Sequence, residues 1–444
     1  MRKGRKHGFW RPALWRWLVV LSLWMAGSLS AQSLQFGGYL QLDKRFRVGG
    51  DSTTIADFYN RLRVEMQAPL GDRVYTFASI DVRFYDLSRI RSLAGLEDLS
   101  QQYPTDLSVW EAYVDVYGFL SDNIDLRIGK QRINWGTADR LNPTDNLNPD
   151  DFSDLVNFAE KVPTWALKTS YYVGDFTLTA VWLPALTPIL LPRNSAGLFL
   201  SNELAGVEDR LDLPASTPQN SMFALKLSGA LGNWDYSLSY FNGFDDIPVL
   251  RRLVVQPDTA GLRPRRVELG FPRMQVFGMD VATELSGIGL WGEAALFVPE
   301  KTISVTQIGG TAYPSVELDD RPYVKFTVGG DYTFPGGLYL NTQWMHGFFT
   351  ERGAEALHDY LFTQLKKKFF NDEVDLALGA ALEVADWRAF RESYGYGLFP
   401  ELIYRPADNL EMTLGFFIVD GRDGTLFGAW RETDQVYARV KVVF

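Results

Sequence analysis

Arg61 and Arg63 stand two residues apart in NRLRVEMQA, and Arg83 and Arg127 sit in the equally alternating segments VYTFASIDVRFY and IDLRIGKQ. A period of two puts residues i and i+2 on one face of a strand, so these bases share a polar face opposite Leu62, Val64, Val82 and Ile128. Asp280, Glu284 and Glu293 occupy corresponding positions farther along the chain. Bases on one wall and acids on another, lining water, would set a transverse field that orients passing ions. The same groups would equally serve as ion pairs that stiffen a filled interior. Over all alternating segments the inward bases and acids nearly balance, so net field alone selects neither anions nor cations.

A second constellation follows IDLRIGKQ in GKQRINWGTADRLNPTDNLNPDD. Gly129 and Gln131 continue the polar face, which places Trp135 near the rim where the strand ends. Beyond Gly136 the segment is rich in Asn, Asp and Pro, which favour turns over strand. Trp135, Asp139, Arg140, Asp145, Asp150 and Asp151 thus belong to a loop long enough either to fold inward as a constriction or to remain a hydrated surface loop. Asp145, Asn146, Asn148, Asp150, Asp151 and Asp154 also carry oxygens suited to calcium, but their spacing fits no EF-hand, and no metal site is assigned. Other chemistry is sparse. His346 and His358 follow the basic N-terminal stretch with no serine–acid pattern to make a catalytic trio, GxxxxGK[ST] is absent, and there is no cysteine. No enzyme activity and no cofactor are expected.

The elements that would position these groups are strands. The chain ends in QVYARVKVVF, with Val436, Ala438, Val440, Val442 and Phe444 on one face and Tyr437, Arg439 and Lys441 on the other. Segments of ten or more residues repeat this alternation, matching tilted strands that span a bilayer. Tight connections such as PLGD, VGD, LGN and PADN alternate with long ones near 86–106, 136–162, 184–218, 243–270 and 299–321. Aromatics make up 14% of the chain. Trp165, Trp182, Trp234 and Trp344 fall at strand ends, where amphipathic rings suit a water–lipid boundary. After Ala26 no apolar run is long enough for a spanning helix, so membrane residence would require a closed barrel.

The first residues carry Arg2, Lys3, Arg5, Lys6, Arg11 and Arg16 and no acid, then the short apolar run WLVVLSLWMA, then Gly27, Ser28, Ser30 and Ala31. This is the pattern of a cleaved secretory signal peptide over 1–31. Its loss would move the formal charge from −10 to −16, which argues against nucleic acid as a partner.

The Gly-Lys-Gln, Trp-Gly and Asp/Asn/Pro succession of residues 129–151 resembles a family of porin-like outer-membrane proteins. YSLSYFNGFDDIPV, VFGMDVATELSGIGLWGEAALF and LYLNTQWMHGFF look similar to that family too. Strand–Trp-Gly elements also occur in alginate-export-type and capsule-anchoring barrels, although the strongly basic belt of alginate exporters has no evident counterpart in this sequence. The closing strand looks like that of outer-membrane barrels, which implies that Tyr437, Val440, Val442 and Phe444 form an assembly signal.

The sequence therefore predicts an all-β chain. Residues 32–444 form one transmembrane antiparallel up-and-down β-barrel of about 18 strands, with 16 as the alternative count. The function implied is passive passage of small hydrophilic solutes across the bacterial outer membrane through a polar, mixed-charge lumen. The alternative is a barrel that anchors or exports surface polysaccharide with envelope partners. Pore-lining candidates are Arg61, Arg63, Arg83, Arg127, Gln131, Asp280, Glu284 and Glu293. Expected partners are outer-membrane lipid, lipopolysaccharide, the barrel-assembly machinery and small solutes.

Overall fold

The computed structural model describes residues 34–48, 54–55, 59–85, 87–90, 92–139, 141–157, 160–191, 207–258 and 261–444. The expected signal peptide over 1–31 and Arg140 lie outside the described residues, as does 192–206 in the expected 184–218 loop. Eighteen strands form one ring. They are β1 (Gln35–Arg47), β2 (Asn60–Pro69), β3 (Val74–Phe84), β4 (Thr105–Val116), β5 (Ile124–Gln131) and β6 (Thr164–Val173). Next come β7 (Phe176–Leu183), β8 (Met222–Leu231), β9 (Trp234–Phe244), β10 (Arg273–Leu285), β11 (Ile288–Pro299) and β12 (Tyr323–Thr333). The last six are β13 (Leu338–His346), β14 (Asp359–Phe369), β15 (Val374–Val384), β16 (Tyr394–Ala407), β17 (Leu410–Gly421) and β18 (Gln435–Val443).

Every strand pairs antiparallel with its chain neighbour. The ring closes where β18 returns to β1, with Leu42 opposite Val440 and Arg47 opposite Gln435. Closure leaves no free edge, the condition for a sheet that faces lipid. Connections alternate strictly: those at the end bearing Gln35 and Val443 are short, such as 174–175, 232–233 and 286–287, and those at the other end are long.

The alternation read in the sequence sorts the two faces. In β10, Phe277 and Met279 are exposed on the outside while Val276, Gly278 and Asp280 are buried inside. Ile128, Trp165, Leu238 and Met279 are each more than half exposed, part of an apolar outer belt.

Two features depart from the sequence reading. The long loops are not merely irregular. Glu208–Asp212, Gly261–Gly270, Val249–Asp258, Thr302–Ile308 and Thr311–Leu318, drawn from three successive loops, pair into a separate five-stranded sheet. The lumen is also not uniformly polar. Inward positions of β7–β11 carry Val181, Leu183, Ala224, Phe241, Val276, Ala295 and Phe297, which form one buried cluster with Ile133, Trp135 and Leu147 of the loop after β5.

Candidate functional site: a loop folded across the lumen

The loop after β5, residues 132–163, turns into the barrel, and two glycines of its motif explain how. Gly129 has φ +138°, and a Cβ there would lie 2.2 Å from the Ala112 carbonyl oxygen, so only glycine lets β4 and β5 approach this closely. Gly136 has φ +88°, and a Cβ there would lie 2.5 Å from Oε2 of Glu293 on the far wall. The Trp-Gly pair thus marks the point where the backbone is pressed against β11. Trp135 is not at the rim. It is buried in the cluster just described, with the Lys226 ammonium 5.8 Å from its ring centre. Gln131, fully buried, donates to the Ala166 carbonyl at 3.0 Å. Asn148 closes the loop on its own base: its Oδ1 accepts from the Ile133 N–H at 2.7 Å, and its Nδ2 donates to the carbonyls of Gln131 and Val162.

The acidic half of the loop meets a basic wall. Asp81 on β3 accepts from Nε of Arg61 at 2.6 Å and from Nε of Arg83 at 3.2 Å, and Arg63 lies 3.4 Å away. All three guanidinium groups stand about the ring of Trp110, at 5.1, 5.1 and 4.9 Å. Loop acids complete the pairing. Glu160 reaches Arg61 at 2.5 Å and Arg63 at 3.0 Å, and Asp151 accepts from Arg83 at 2.6 Å. Beside them Arg45 forks between Asp43 and Asp154 through four hydrogen bonds of 2.6–2.9 Å. Burial alone would push the loop carboxyls upward, but the guanidinium groups override it and hold Asp154 and Glu160 down to about 2.

These pairings also assign the oxygens considered for calcium: Asp151 and Asp154 face arginines, and Asp150 lies 3.0 Å from the Lys161 ammonium. Asp145 is different. Burial, opposed only in part by Lys161, raises its carboxyl to about 6. Asp246, just past β9, is raised as well, by burial and by the neighbouring charge of Asp245.

The other half of the loop meets the acidic wall through neutral donors. Glu293 accepts from the Ala138 N–H at 2.9 Å and from the Thr144 hydroxyl at 2.5 Å. Farther round the ring, the Asp139 carbonyl accepts from Nε2 of Gln343 at 3.0 Å. Leu141 and Leu155 pack with Met345, Phe348, Tyr360, Phe417 and Trp430. One segment therefore touches β1–β4 on one side and β11–β18 on the other. Spaces remain between loop and wall, two of them sizeable. One of about 420 Å³ lies against β1–β3 and is lined by Gln41, Tyr59, Arg61, Arg132, Asn157 and Lys441. One of about 270 Å³ lies against β13–β18, where Phe362, Phe399 and Phe417 mix with Gln364, Glu401 and Arg439.

A family model described as "Protein of unknown function (DUF1302)" matches residues 81–357, from the acid that gathers the arginines to the end of β13 and beyond. The chain belongs to the DUF1302 family. No curated protein matches it by sequence. Among solved structures, OccAB1 of Acinetobacter baumannii superposes over 94% of this chain and 98% of its own, with TM-score 0.53 at 8% identity. OccK8 (OprE) of Pseudomonas aeruginosa covers 93% and 98%, with TM-score 0.51 at 10% identity. The outer membrane protein opdK of the same organism covers 93% and 99%, also with TM-score 0.51 at 10% identity. Likeness at these identities is likeness of fold: the DUF1302 chain is a closed 18-strand antiparallel barrel resembling outer-membrane channels.

Not every candidate residue joins the loop. Asp280 pairs within the wall, 3.6 Å from Lys226 and hydrogen-bonded by Ser237. Arg127 is held by Asp115 at 2.6 Å and stacks on Tyr113. Glu284 is exposed at the short-turn end of β10, away from the loop. The two walls are thus not bare opposed fields, because local partners or the loop engage Arg61, Arg63, Arg83, Arg127, Asp280 and Glu293. Trp110 was not legible as a site residue. The register between β3 and β4 shifts at Ser79/Ile80, and the bulge turns Trp110 inward where simple alternation would point it out. Tyr437 faces the lumen and donates to Glu401 at 2.5 Å, while Phe444 is exposed at the end of β18. His346 and His358 have carboxylate partners, Asp359 and Glu383, each at 2.8 Å.

Proposed function

We propose that this DUF1302 barrel resides in a bacterial outer membrane and passes small hydrophilic solutes through the spaces left beside the 132–163 loop, which acts as the constriction. The observation that carries this reading is the loop's attachment to both walls with cavities of about 420 and 270 Å³ on its two sides. The apolar outer belt supports placement in lipid. The exposed terminal Phe444 on the closing strand fits a role as the residue read during barrel assembly. Arg61, Arg132 and Lys441 would contact solute on one side, and Gln364 and Arg439 on the other.

A second reading, a barrel that anchors or exports surface polysaccharide without general conductance, draws support from how fully buried ion pairs fill the lumen. Planar-bilayer recording separates the two. The constriction reading expects small steady steps from the intact barrel and several-fold larger steps when 137–157 is replaced by a short Gly–Ser linker. A silent intact barrel whose linker variant conducts would favour the second reading. Equal steps from both proteins would remove the loop from the account.

A further inference from the structure

Apart from the loop across the lumen, a compact donor set lies where two outer loops meet. Glu351 and His358 belong to residues 347–358, between β13 and β14, and Glu383 sits at the outer end of β15. His358 Nδ1 lies 2.8 Å from Oε1 of Glu383 and 3.5 Å from Oε1 of Glu351, and the three donor atoms fall within 4.8 Å of one another. Each carboxylate is aimed by backbone amides on its second oxygen. Oε2 of Glu351 accepts from the N–H groups of Phe348 and His358 at 2.8 and 3.0 Å, and Oε2 of Glu383 accepts from that of Phe427 at 2.9 Å. Both Oε1 atoms are thereby turned toward the imidazole. The Tyr360 hydroxyl, 2.5 Å from one Oε1 and 3.3 Å from the other, and the Leu426 N–H, 2.7 Å from that of Glu383, complete the shell.

The charge of this cluster does not close. Glu383 is fully buried and the Glu351 side chain is 13% exposed, and one imidazole stands between them. Of the nearby cations, Arg352 forks onto Asp245, while Lys325 donates to the neutral Phe348 carbonyl at 2.6 Å and acts on Glu351 only through its field. Even with an imidazolium the three side chains keep a net negative charge centred on the fully buried Glu383, which a further cation would offset. A divalent ion bound by two carboxylates and a neutral imidazole cancels that charge. One nitrogen and two oxygens, oriented by outer hydrogen bonds, suit a borderline cation and leave a position for water.

We propose that Glu351, His358 and Glu383 bind one divalent cation of the zinc class. On binding, Nδ1 releases its proton to solvent and gives its lone pair to the ion. Glu383 also accepts from Leu426 and Phe427, so the ion ties loop 347–358 to loop 422–434.

The test is calorimetric titration of the detergent-folded, EDTA-treated full-length barrel with zinc chloride, each variant's fold being checked by its heat-modifiable gel mobility. The intact protein should take up one ion. His358→Ala and Glu383→Gln should each weaken uptake by at least about 100-fold. Glu351→Gln, altered only in a loop, serves where either of those fails to fold. Glu284→Gln, remote from the cluster, should bind as the intact protein does. Zinc should raise the melting temperature of the intact barrel but not that of His358→Ala. Absence of saturable uptake, equal uptake by the ligand variants, or equal competition from calcium would overturn the proposal.

Discussion

The two walls that hold the inward loop do so by different physics. On the β1–β4 side the contacts are ionic: Arg45, Arg61 and Arg83 each bind a wall acid and a loop acid. On the β11 side a single carboxylate, Glu293, takes neutral donors from the loop, and apolar packing around Trp135 supplies the rest. Buried ion pairs have exacting geometry, and breaking one strands the other charge, whereas neutral hydrogen bonds and apolar contacts degrade gradually. The ionic side fixes where the loop lies, and on the neutral side the wall's own base Lys226 is paired with Asp280, so the segment seats there through Glu293 and apolar contacts.

This contrast is most exposed at Asp81. Asp81→Ala removes the acid shared by Arg61, Arg63 and Arg83 and should destabilise the barrel by about 3–5 kcal/mol, read from equilibrium urea unfolding in vesicles. A loss under 1 kcal/mol would mean that the arginines find water instead.

Next in size, Glu160→Gln should cost about 1.5–3 kcal/mol, since Arg61 and Arg63 lose a charged acceptor. Glu293→Gln should stay within about 1 kcal/mol, since its partners are an amide N–H and a hydroxyl. Equal costs for the two would erase the distinction between the walls.

The same contrast extends to the dependence on pH. Asp154 and Glu160 have depressed folded values, so their contribution is present above the ordinary carboxylate range and is lost as pH falls toward about 2. Asp145 is raised to about 6, so its ionisation weakens the folded state as pH rises from about 4 through 6. Hydrogen exchange should therefore show the segment around Asp145 better protected at pH 5 than at pH 8, with the segment around Asp154 and Glu160 unchanged. Only the latter should open between pH 4.5 and 2.5. Parallel behaviour of both segments would break the comparison.

The ring was largely legible because a sheet with lipid outside and water inside must alternate, and the 18 strands follow that alternation. Legibility failed where the inner face is apolar too. In AVWL, the outer half of β7, both faces are apolar, so nothing marked Val181 and Leu183 as a seat for the loop. It failed again at the bulge that turns Trp110 inward, and at the sheet built from three loops, where two antiparallel hairpins are joined by parallel contacts between distant segments. The motif glycines were visible as residues, but the reason for Gly136 is Glu293, far away in the chain. The cluster of Glu351, His358 and Glu383 left no spacing signature because β14 separates its members.

A strip fastened to both sides of a duct is a septum. On the proposed reading two unequal lanes would run in parallel, one rimmed by guanidinium and ammonium groups and the other by phenyl rings. In such a duct currents would add, so an obstacle lodged in one lane would leave a residual flow instead of silence. Two unlike travellers would also never have to wait for each other.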